Sequence, residues 1–578
     1  MTKPWLRFYH EQTARDLPAL TWPHLPAFIR HAAARYRDKP AFTLYLPNGT
    51  QGTISYAEAD RLSDHFAVYL RDVAGFQMGD RIALQMPNCL AYPIAVFGCL
   101  KAGLVMVNTN PLYTPAEMTH QFNDSGAVGL IAIDVFATKV AEVLPKTSIR
   151  HVVIVSIPDL LTPLKRFVVR SVQKYVKKML PPVTFAHVTF PDALEQGEAR
   201  TRGGTNAEDY ASALSHDSIA ALQYTGGTTG VSKGAVLTHR NLLANVIASL
   251  EAWKPYLEYG GEVMLTALPL YHIFAFTANL MIFFAVGGRN ILIPSPRPFT
   301  NMKLAFEREP ITWFTGINTL FIALMNEAWF QAKKDWKLKG TVAGGMALAP
   351  AVGERWQRTT KTPIFQGYGL TETSPVVTLA PFHRSKMSSI GVPIPGTDVR
   401  LVDDSGADVP AGQPGELIVR GPQVMQGYWQ RPDETAKVIR EGWLHTGDIA
   451  TMDGDGYFQI VDRKKDMILV SGFNVYPNEV EAVLAEHPAI AEVCVLGAPD
   501  PLCGEAVVAF VVAKDRSLTA EHVRQHAKAS LTNYKVPKTI VFRDELPKSN
   551  VGKILRKDLK SAAAEAHQAT MRAHPSPG

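Results

Sequence analysis

The sequence contains few cysteines and no strong excess of either charge. Only Cys89, Cys99, Cys494 and Cys503 occur among 578 residues, without a CxxC spacing. A set this small and scattered supports neither a disulfide framework nor a zinc site. The 59 basic and 53 acidic residues leave a net charge of only +6, which provides no overall field for a nucleic-acid partner. We therefore expect a protein of the reducing cytoplasm that does not bind nucleic acid.

The N-terminus also lacks the uncharged apolar stretch of a secretion signal, because charged residues recur through its first twenty positions. Residues 263–288 contain no Lys, Arg, Asp or Glu and are numerous enough to span a bilayer. Pro269, His272, Thr277 and Asn279 interrupt this segment, so a buried core segment is the better interpretation. The sequence therefore predicts no transmembrane helix.

The chain is several times longer than one folding unit, so two or more domains are expected. Between residues 80 and 300, apolar runs (RIALQM, GLIAID, HVVIVS, IAALQYT, NILIP) alternate with helix-like stretches, which predicts parallel sheets with crossover helices. From about Ile390, short strands separated by Gly, Pro and Asp turns indicate a small β-rich subdomain. Beyond the charged link DRKKD, alternating helices and strands predict a separate α+β domain, with disorder in the last dozen residues.

The most distinctive motif is YTGGTTGVSKGA, residues 224–235, directly after the apolar run IAALQ. Its composition suits an anion, because glycines let the backbone approach, hydroxyls donate hydrogen bonds and a lysine supplies charge. The glycines are Gly226, Gly227, Gly230 and Gly234, the hydroxyl donors are Thr225, Thr228 and Thr229, and the cation is Lys233. The motif therefore predicts a phosphate-binding loop.

Two other motifs share part of this pattern. A Walker loop requires Gly-Lys-Ser/Thr, whereas here Ser232 precedes Lys233 and Gly234 follows it. The nucleophile elbow of α/β-hydrolases, G-x-S-x-G, is matched by residues 230–234. An elbow needs its serine on a tight turn at the end of a strand, while Ser232 lies seven residues beyond Thr225. A serine hydrolase therefore stays an alternative, as does a catalytically silent acyl or nucleotide binder.

The loop resembles the signature of the adenylate-forming superfamily, which contains acyl-CoA synthetases, luciferases and peptide-synthetase adenylation domains. Further motifs follow in the order of that family: PLYHIFAF (269–276), AGGMALAP (343–350), QGYGLTET (366–373), GELIVRGPQVMQGYW (415–429), GWLHTGDIA (442–450), DRKKDMILVSGFNVYPNEVE (462–481) and PKSNVGKILR (547–556). The resemblance covers most of residues 25–562. Within the superfamily, bacterial long-chain fatty acid CoA ligases look most similar.

The resemblance implies an α/β fold with a large N-terminal domain and a small mobile C-terminal α+β domain. The large domain, residues 1–462, would contain two α/β subdomains and a distorted β-barrel, and residues 463–578 would form a lid. In this family the lid rotates between half-reactions about a residue that corresponds to Lys465. Without the family, Lys465 is an ordinary surface lysine.

The implied reaction explains why phosphate chemistry is needed. A carboxylate is a poor electrophile because its leaving group would be oxide. Attack of a fatty acid carboxylate on the α-phosphorus of ATP yields acyl-AMP and pyrophosphate, and the thiolate of coenzyme A then displaces AMP. Positioning and cations around the phosphates lower the barrier. The expected partners are therefore a fatty acid, ATP, CoA and Mg²⁺, with a medium-chain or aromatic acid as the alternative substrate.

The resemblance assigns nucleotide and metal contacts to residues of these motifs. Those contacting the phosphates would be Tyr224, Thr225, Gly226, Gly227, Thr228, Thr229, Gly230 and Lys233, and those near adenine Gly367, Tyr368, Gly369 and Thr371. Asp448 and Arg463 would contact the ribose, while Thr225 and Glu372 would hold Mg²⁺. Taken without the family, Tyr368 is a core tyrosine, Asp448 a turn aspartate and Arg463 part of a solvated charge run.

The acyl side of the reaction is assigned in the same way. His272 would lie beside the acyl carboxylate, although its aromatic surroundings also fit a core histidine. The candidates for the acyl tunnel are Trp313, Gly316, Ile317, Gly344 and Gly345. Lys553 would enter the site from the lid and bridge the carboxylate and the α-phosphate. The resemblance therefore gives Lys553, Glu372, Thr225, Lys233 and His272 as the catalytic set.

Residues 161–180 have a composition unlike the rest of the chain, with six basic residues and no acidic one before the Pro181-Pro182 stop. At helical spacing, Leu164, Val168, Val172, Tyr175 and Met179 share one face, and Arg166, Arg170, Lys174 and Lys177 share the other. Such a helix fits either an anionic membrane or the surface of the domain. We therefore expect a cytoplasmic protein, with peripheral membrane contact and a homodimer as open alternatives.

Overall fold

Two largely parallel sheets form most of the N-terminal part of the chain, in a computed structural model that describes residues 3–225, 232–471, 473–515, 517–549 and 553–573. The first strands of the chain are β1 (Pro40–Tyr45), β2 (Gln51–Ser55), β3 (Arg81–Gln85), β4 (Val105–Asn108), β5 (Gly129–Ile133), β6 (His151–Val155), β7 (Val188–Thr189), β8 (Ile219–Thr225) and β9 (Lys233–Thr238). Seven of them form a sheet in the order β7-β6-β5-β3-β4-β8-β9, with only the β8–β9 pair antiparallel. Four predicted apolar runs are therefore confirmed as β3, β5, β6 and β8.

The second sheet has nine strands and combines β1 and β2 with the next seven strands. These are β10 (Val263–Thr266), β11 (Arg289–Leu292), β12 (Trp313–Gly316), β13 (Gly340–Ala343), β14 (Ile364–Gly369), β15 (Val376–Leu379) and β16 (Val392–Pro393). The order is β16-β15-β14-β13-β12-β10-β11-β1-β2, parallel from β14 to β1 and antiparallel at both ends. The carboxyl ends of β12, β13 and β14 therefore lie side by side.

Helices connect these strands. Those of the N-terminal part are α1 (Leu25–Arg35), α2 (Tyr56–Val68), α3 (Ala91–Lys101), α4 (Pro115–Ser125), α5 (Ala137–Val143), α6 (Pro163–Ser171), α7 (Phe190–Arg202), α8 (Ala207–Ala211), α9 (His239–Trp253), α10 (Ile273–Ala275), α11 (Ile282–Ala285), α12 (Lys303–Arg308), α13 (Asn318–Asn326), α14 (Ala328–Ala332), α15 (Pro350–Thr360) and α16 (Pro432–Val438). Helices α2, α4 and α9 each begin with a capping box, in which a Ser or Thr side chain and the side chain three residues later satisfy each other's backbone N–H groups.

The uncharged segment 263–288 lies in the core of this part. It begins as β10 and continues as short helical turns, of which Phe276–Met281 is a π-helix with every residue buried. The prediction of a buried core segment is therefore confirmed. No helix among the described residues is long and apolar enough to cross a membrane.

An antiparallel sheet of five strands follows and corresponds to the distorted β-barrel of the prediction. Its strands are β17 (Asp398–Val402), β18 (Gly415–Arg420), β19 (Ile439–Arg440), β20 (Trp443–Met452) and β21 (Phe458–Arg463). Strand β20 pairs with β18, β19 and β21, and its register brings Asp448 opposite Arg463. Two predicted ribose ligands are therefore neighbours across one strand pair.

The C-terminal part is a small α+β domain, as predicted. It contains β22 (Ile468–Val470), β23 (Phe473–Val475), α17 (Pro477–Ala485), β24 (Ile490–Asp500), β25 (Gly504–Ala513), α18 (Ala520–Ser530), β26 (Thr539–Phe542) and α19 (Lys560–Ala573). The expected disorder of the last dozen residues is wrong up to residue 573. Helix α19 continues that far because the buried His567 hydrogen bonds to Asp500 and Thr539.

Candidate active site

The glycine-rich motif connects β8 and β9, an antiparallel pair of strands at the edge of the seven-stranded sheet that we call the hairpin. Strand β8 ends at Thr225, and β9 begins at Lys233, its partner in the register. The predicted phosphate ligands Gly226, Gly227, Thr228, Thr229 and Gly230 lie outside the described residues. Directly before them, the Tyr224 hydroxyl donates to Asp124 at 2.7 Å, and burial together with Asp124 raises the pKa of Tyr224. Tyr224 therefore anchors the start of the loop instead of presenting its hydroxyl to phosphate.

A segment ending at Trp429 holds the outer edge of this hairpin. The N–H of Val236 donates to the carbonyl of Gly427 at 2.9 Å, and the N–H of Trp429 donates to the carbonyl of Gly234 at 2.8 Å. The same segment reaches the predicted metal ligand Glu372, whose carbonyl accepts from the N–H of Met425 at 2.8 Å. The short 3₁₀ turn Thr371–Thr373 therefore lies against both strands of the hairpin.

The Glu372 carboxylate is oriented by Tyr428. The Tyr428 hydroxyl donates to Oε1 of Glu372 at 2.7 Å, and burial and this carboxylate raise the pKa of Tyr428. One carboxylate oxygen is thereby fixed while the residue stays partly exposed. Thr225 is also partly exposed. These oxygen donors beside a phosphate-type loop suit Mg²⁺, which prefers oxygen ligands and keeps several waters.

Lys233 has a resident counter-ion in this structure. Its ammonium pairs with the carboxylate of Glu434 and lies 5.1 Å from the centre of the Tyr428 ring. Lys233, and after it Lys437, lowers the pKa of Glu434 to about 2, so this carboxylate is ionised throughout the neutral range. A phosphate at this position would compete with Glu434 for the Lys233 ammonium.

Tyr368, Asp448 and Arg463 form a second cluster at the end of β14. The Tyr368 hydroxyl donates to Oδ2 of Asp448 at 2.6 Å, and Nε of Arg463 lies 3.3 Å from Oδ1. Burial, and then Asp448, raises the pKa of Tyr368. Residues 446–448 and 463–465 line a cleft of about 320 Å³. The buried Asp448 is therefore fixed at the wall of an open cleft, as a ribose ligand would need to be.

The two glycines around Tyr368 differ in what they make room for. A Cβ at Gly369 would collide with the carbonyl oxygen of Pro375. The close approach of these two backbone segments is therefore sufficient to require glycine at this position. A Cβ at Gly367 would make only an ordinary contact with Leu379 at 3.4 Å. Thr371 lies one turn further, in the 3₁₀ turn of Glu372. Gly369 therefore has a structural role whether or not adenine lies beside it.

Lys553 brings the C-terminal domain into the same site. Burial, followed by the nearby Arg463 guanidinium, lowers the pKa of Lys553 to about 8, while Asp448 opposes the shift. Burial, and then Lys553, lowers the pKa of His272 to about 4. The Lys553 ammonium therefore lies within electrostatic range of both the Asp448 cluster and His272. Its backbone is held by Ser549, which donates to the Lys553 carbonyl at 2.7 Å.

His272 is neutral and has a defined tautomer. It caps α10, with Nδ1 accepting from the N–H of Phe274 at 3.3 Å. Because Nδ1 is an acceptor and the ring is neutral above about pH 5, Nε2 carries the proton. His272 can therefore donate one hydrogen bond to an anion in the cleft.

Four of the five predicted tunnel residues lie at the carboxyl ends of two neighbouring strands. Gly316 is the last residue of β12 and Ile317 follows it, while Gly344 and Gly345 directly follow β13 beside it. A Cβ at Gly344 would come within 2.9 Å of the Phe274 ring, and a Cβ at Gly345 within 3.9 Å of Ile317. Trp313 lies apart from them, almost fully buried in an aromatic cluster with Trp253 and Phe382. It packs in the core instead of facing these glycines.

The predicted hinge Lys465 lies at the cleft wall between the two domains. It follows β21, which belongs to the five-stranded sheet, and precedes β22 of the C-terminal sheet. Burial, and then Arg463, lowers the pKa of Lys465. The buried Asp462 bonds to the N–H of Asn478 at 2.7 Å. The connection between the domains therefore passes directly beside the predicted ribose ligands.

Sequence reasoning missed Tyr428 and Glu434. Both lie in GYWQRPDE, residues 427–434, and only the first three residues of this stretch belong to a motif quoted above. Tyr428 lies within a quoted family motif, and the acidic pair Asp433-Glu434 follows the same motif. The sequence does not reveal which residues Tyr428 and Glu434 contact. Their importance follows from contacts with Glu372 and Lys233 over sequence separations of 56 and 201 residues.

The geometry around Ser232 does not fit a hydrolase elbow. Ser232 directly precedes the antiparallel strand β9, whereas an elbow leads from a strand into a helix. His120 approaches Ser232 with Nε2 at 3.1 Å, but its contact is with the backbone carbonyl and not with the hydroxyl. Among the residues that the structure describes, no base therefore contacts the Ser232 hydroxyl to activate it.

A cleft between a large α/β domain and a small α+β domain, with a lysine entering from the small domain, is the arrangement of an adenylate-forming enzyme. The chain belongs to the AMP-binding enzyme family, whose model matches residues 29–429. The model of the AMP-binding enzyme C-terminal domain matches residues 479–553.

Relatives and solved structures are similar over nearly the full chain. The long-chain-fatty-acid–CoA ligase of Yersinia pestis is 48% identical, over 97% of this chain and 98% of that protein. The long-chain-fatty-acid–CoA ligase of Bacillus subtilis (strain 168) is 38% identical, over 98% and 99%. The crystal structure of ATP-bound MatB from Rhodopseudomonas palustris matches with a TM-score of 0.79 at 26% identity, covering 92% of this chain and 98% of that one. These matches support the predicted family and two-domain fold.

Proposed function

We propose that this protein is an ATP-dependent, AMP-forming long-chain fatty acid CoA ligase. The observation that carries the proposal is the position of Lys553, a lysine of the C-terminal domain close to both His272 and the Asp448–Arg463 pair. An enzyme that joins a carboxylate to a nucleotide needs a cation at such a place, between the proposed acyl site and the proposed ribose site. The relatives at 46–48% identity named long-chain-fatty-acid–CoA ligases support the same reaction.

In the first half-reaction, a carboxylate oxygen of the fatty acid attacks the α-phosphorus of ATP. A new P–O bond forms while the bond to the pyrophosphate oxygen breaks, so acyl-AMP and pyrophosphate result. Two anions approach each other in this step, and the Lys553 ammonium stabilises the charge that gathers between them. Lys233 and the glycine-rich loop hold the β- and γ-phosphates after Glu434 has been displaced. No protein nucleophile is required.

The proposed metal ligands are Thr225 and Glu372. Bound Mg²⁺ would neutralise part of the phosphate charge and orient the leaving pyrophosphate. Glu372 supports this role because Tyr428 fixes one carboxylate oxygen and leaves the other available. Asp448 would accept hydrogen bonds from the ribose hydroxyls, with Arg463 beside it, while Tyr368, Gly367, Gly369 and Thr371 would border adenine.

The acyl group is proposed to lie against the ends of β12 and β13. His272 would donate its Nε2 proton to the substrate carboxylate and hold it near Lys553. Beyond it, a Cβ at Gly345 would meet only Ile317, at 3.9 Å, so space is open there, whereas Gly316 and Gly344 lie close against the rings of Phe321 and Phe274. Apolar walls favour a fatty acyl chain by about 0.8 kcal/mol per buried methylene. A medium-chain or aromatic acid is the alternative substrate.

In the second half-reaction, the CoA thiolate attacks the acyl carbonyl carbon and AMP leaves. We propose that residues 463–578 rotate as a lid about Lys465 for this step, relative to residues 1–462. Rotation would withdraw Lys553 from the position that it occupies in this structure. The bond between Asp462 and Asn478 spans the proposed hinge and would have to adapt during rotation.

Carboxylate-dependent exchange of labelled pyrophosphate into ATP tests the proposal. Exchange with palmitate, followed by formation of palmitoyl-CoA when CoA is added, is the expected result. A serine hydrolase or a silent binder cannot reverse an adenylation, so absence of exchange with every acid from acetate to oleate would reject the ligase. Preference for benzoate or a medium-chain acid would support the alternative substrate.

The cytoplasmic location and the homodimer stay predictions. Cell fractionation tests the location, and sedimentation tests the oligomeric state.

A further inference from the structure

The amphipathic segment of residues 161–180 forms a helix that exposes its apolar side. Helix α6 continues directly into the π-helix Val172–Val176. Among the described residues, fifteen large hydrophobic side chains are exposed, and seven of them lie on this segment: Leu164, Phe167, Val168, Val172, Tyr175, Val176 and Met179. Four of the seven, Leu164, Phe167, Tyr175 and Val176, are 70–74% exposed. We call these seven side chains the apolar stripe.

The opposite side of the helix fastens it to the large domain. Val169 is buried there, and Nη1 of Arg170 donates to Ser156 at 2.9 Å. Arg166 lies 3.8 Å from the buried Asp159, and Lys165 donates to the carbonyl of Gln51 at 2.8 Å. The basic residues near the N-terminal end therefore serve as anchors. The helix is held on the domain with its apolar stripe turned outwards, the reverse of an ordinary surface helix.

Three further lysines border the outward side near its C-terminal end. Lys174, Lys177 and Lys178 are exposed, and the Lys174 ammonium lies 5.3 Å from the Tyr175 ring. None of the three bonds to an acidic side chain of the described residues. No Asp or Glu occurs between residues 160 and 191. The apolar stripe is therefore combined with a local excess of positive charge.

We propose that the apolar stripe and these three lysines form a docking surface for an anionic lipid bilayer. A helix of this length cannot span a bilayer, but it can lie in the interface with its apolar side about 5–10 Å deep and its lysines at the headgroups. A second copy of the chain is a poor occupant, because residues 161–180 contain six basic and no acidic residues, so two facing copies of this helix would gather positive charge without counter-ions. The inference does not rest on the ligase reaction. It would place the enzyme where long-chain fatty acids partition.

Vesicle cosedimentation of the full chain, without ATP, CoA or fatty acid, tests the docking surface. We expect binding to vesicles of phosphatidylcholine with phosphatidylglycerol and weaker binding to phosphatidylcholine alone. Changing Lys174, Lys177 and Lys178 to Gln should weaken binding to the anionic vesicles on the order of a hundredfold, since each lysine near an anionic surface contributes about fivefold. Changing Leu164, Phe167, Tyr175 and Val176 to Gln should abolish binding to both vesicle types.

Matched variants separate the surface from general effects. Lys334, Lys337 and Lys528 are exposed lysines elsewhere, and changing them to Gln removes the same charge. Val73, Met78 and Leu502 are exposed hydrophobic residues elsewhere and serve as the apolar control. Both controls should bind vesicles as the wild type does, and circular dichroism should show all variants folded. Failure of the wild type to bind anionic vesicles, or equal losses in the controls, would overturn the proposal.

Size measurement gives one more decisive outcome. If the variant with Gln at 164, 167, 175 and 176 converts a wild-type dimer to a monomer while vesicle binding is unchanged, a second copy covers the stripe and the membrane proposal is wrong. Because no substrate is present in these experiments, failure of the ligase proposal would leave the vesicle result unaffected. The two proposals can therefore fail separately.

Discussion

The large and the small domain contribute to the cleft in different ways. In the large domain, the site side chains are paired with neighbours before any substrate binds: Glu372 with Tyr428, Lys233 with Glu434, and Asp448 with Tyr368. In the small domain, the partly buried Lys553 lies near the cations Arg463, Arg556 and Lys465, and the Asp448 carboxylate opposes their effect on its pKa. The site side chains of the large domain are therefore preorganised, whereas the Lys553 ammonium of the small domain has more positive than negative charge around it.

This difference indicates what each domain needs from the substrate. Burial, and then the nearby Arg463 guanidinium, lowers the pKa of Lys553, because its charged form loses hydration and has too little opposite charge nearby. An anion between Lys553 and Arg463 would relieve that imbalance. Acyl carboxylate and α-phosphate are such anions, so binding energy from the substrates can stabilise the closed arrangement of the two domains. The large domain gains no comparable relief, since its charges are already paired.

The largest expected effect comes from removing the lysine of the small domain. Lys553→Ala should slow acyl-AMP formation by about a thousandfold or more, because the charge between two anions is no longer stabilised. Chemically prepared acyl-AMP should still react with CoA at close to the wild-type rate, since the proposed lid has moved Lys553 away by then. Single-turnover measurement of the two half-reactions checks this split.

A control for this variant lies on the same segment. Lys548 pairs with Glu492 at 2.5 Å within the small domain, so Lys548→Ala removes a nearby lysine charge without touching the cleft. Both half-reactions should stay near wild type in this variant. If both half-reactions fall together in a folded Lys553→Ala protein, the rotating lid as proposed here is wrong.

The second largest effect is expected from a substitution in the preorganised large domain. Glu372→Gln should lower adenylation by roughly a hundredfold and raise the Mg²⁺ concentration needed for half-maximal rate, because a metal ligand loses its charge. The fold should be kept, since Gln can still accept the hydrogen bond from Tyr428. Titration of the exchange rate with Mg²⁺ is the measurement, with the exposed Glu354→Gln as control. Unchanged metal dependence would remove Glu372 from the proposed ligand set.

Much of the fold could be predicted because its signals are local. Apolar runs bounded by turn residues gave β3, β5, β6, β8 and β11, and helix-like spacing gave α17 and α18. The tail was misjudged because its order depends on His567 meeting Asp500, 67 residues away. A local pattern of alanines and charges contains no information about that contact.

The sequence suggests what the residues of the candidate site do, but it does not reveal which side chains they contact within the protein. Glycines, threonines and a lysine in one loop indicate phosphate binding whatever surrounds them. The contacts of Tyr428 with Glu372 and of Glu434 with Lys233 depend on a segment that folds back along β9. Trp313 illustrates the limit of family order, which made it a candidate for the acyl tunnel, whereas its packing among Trp253 and Phe382 follows from tertiary structure.

A third prediction uses pH to distinguish the contribution of Lys553 in the small domain from that of His272 in the large domain. Because folding lowers the pKa of Lys553 from 10.5 to about 8, its ammonium is present below that pH and is lost as pH rises through it. The value of kcat/KM for adenylation should therefore fall about tenfold per pH unit above pH 8. His272, with a pKa of about 4, stays neutral across this range. The rate of the exchange reaction, measured from pH 6 to 10, should show this fall above pH 8. The single-turnover rate of acyl-AMP with CoA should not show it.

The smallest effect tests whether the preorganised domain hinders its own substrate. In the structure the Lys233 ammonium pairs with Glu434, a carboxylate that is ionised at every working pH, so in the proposed phosphate site ATP competes with this carboxylate for Lys233. Glu434→Gln should therefore lower the KM for ATP by about two- to fivefold, in the range of an exposed ion pair, with kcat nearly unchanged. Asp433→Asn removes the same charge from the adjacent exposed residue and should leave the KM for ATP unaltered. A rise in KM in Glu434→Gln would mean that Glu434 positions Lys233 for phosphate. In that case the Lys233–Glu434 ion pair would itself prepare the large domain for ATP. The difference between this preorganised domain and the unbalanced charge around Lys553 would then be larger than proposed.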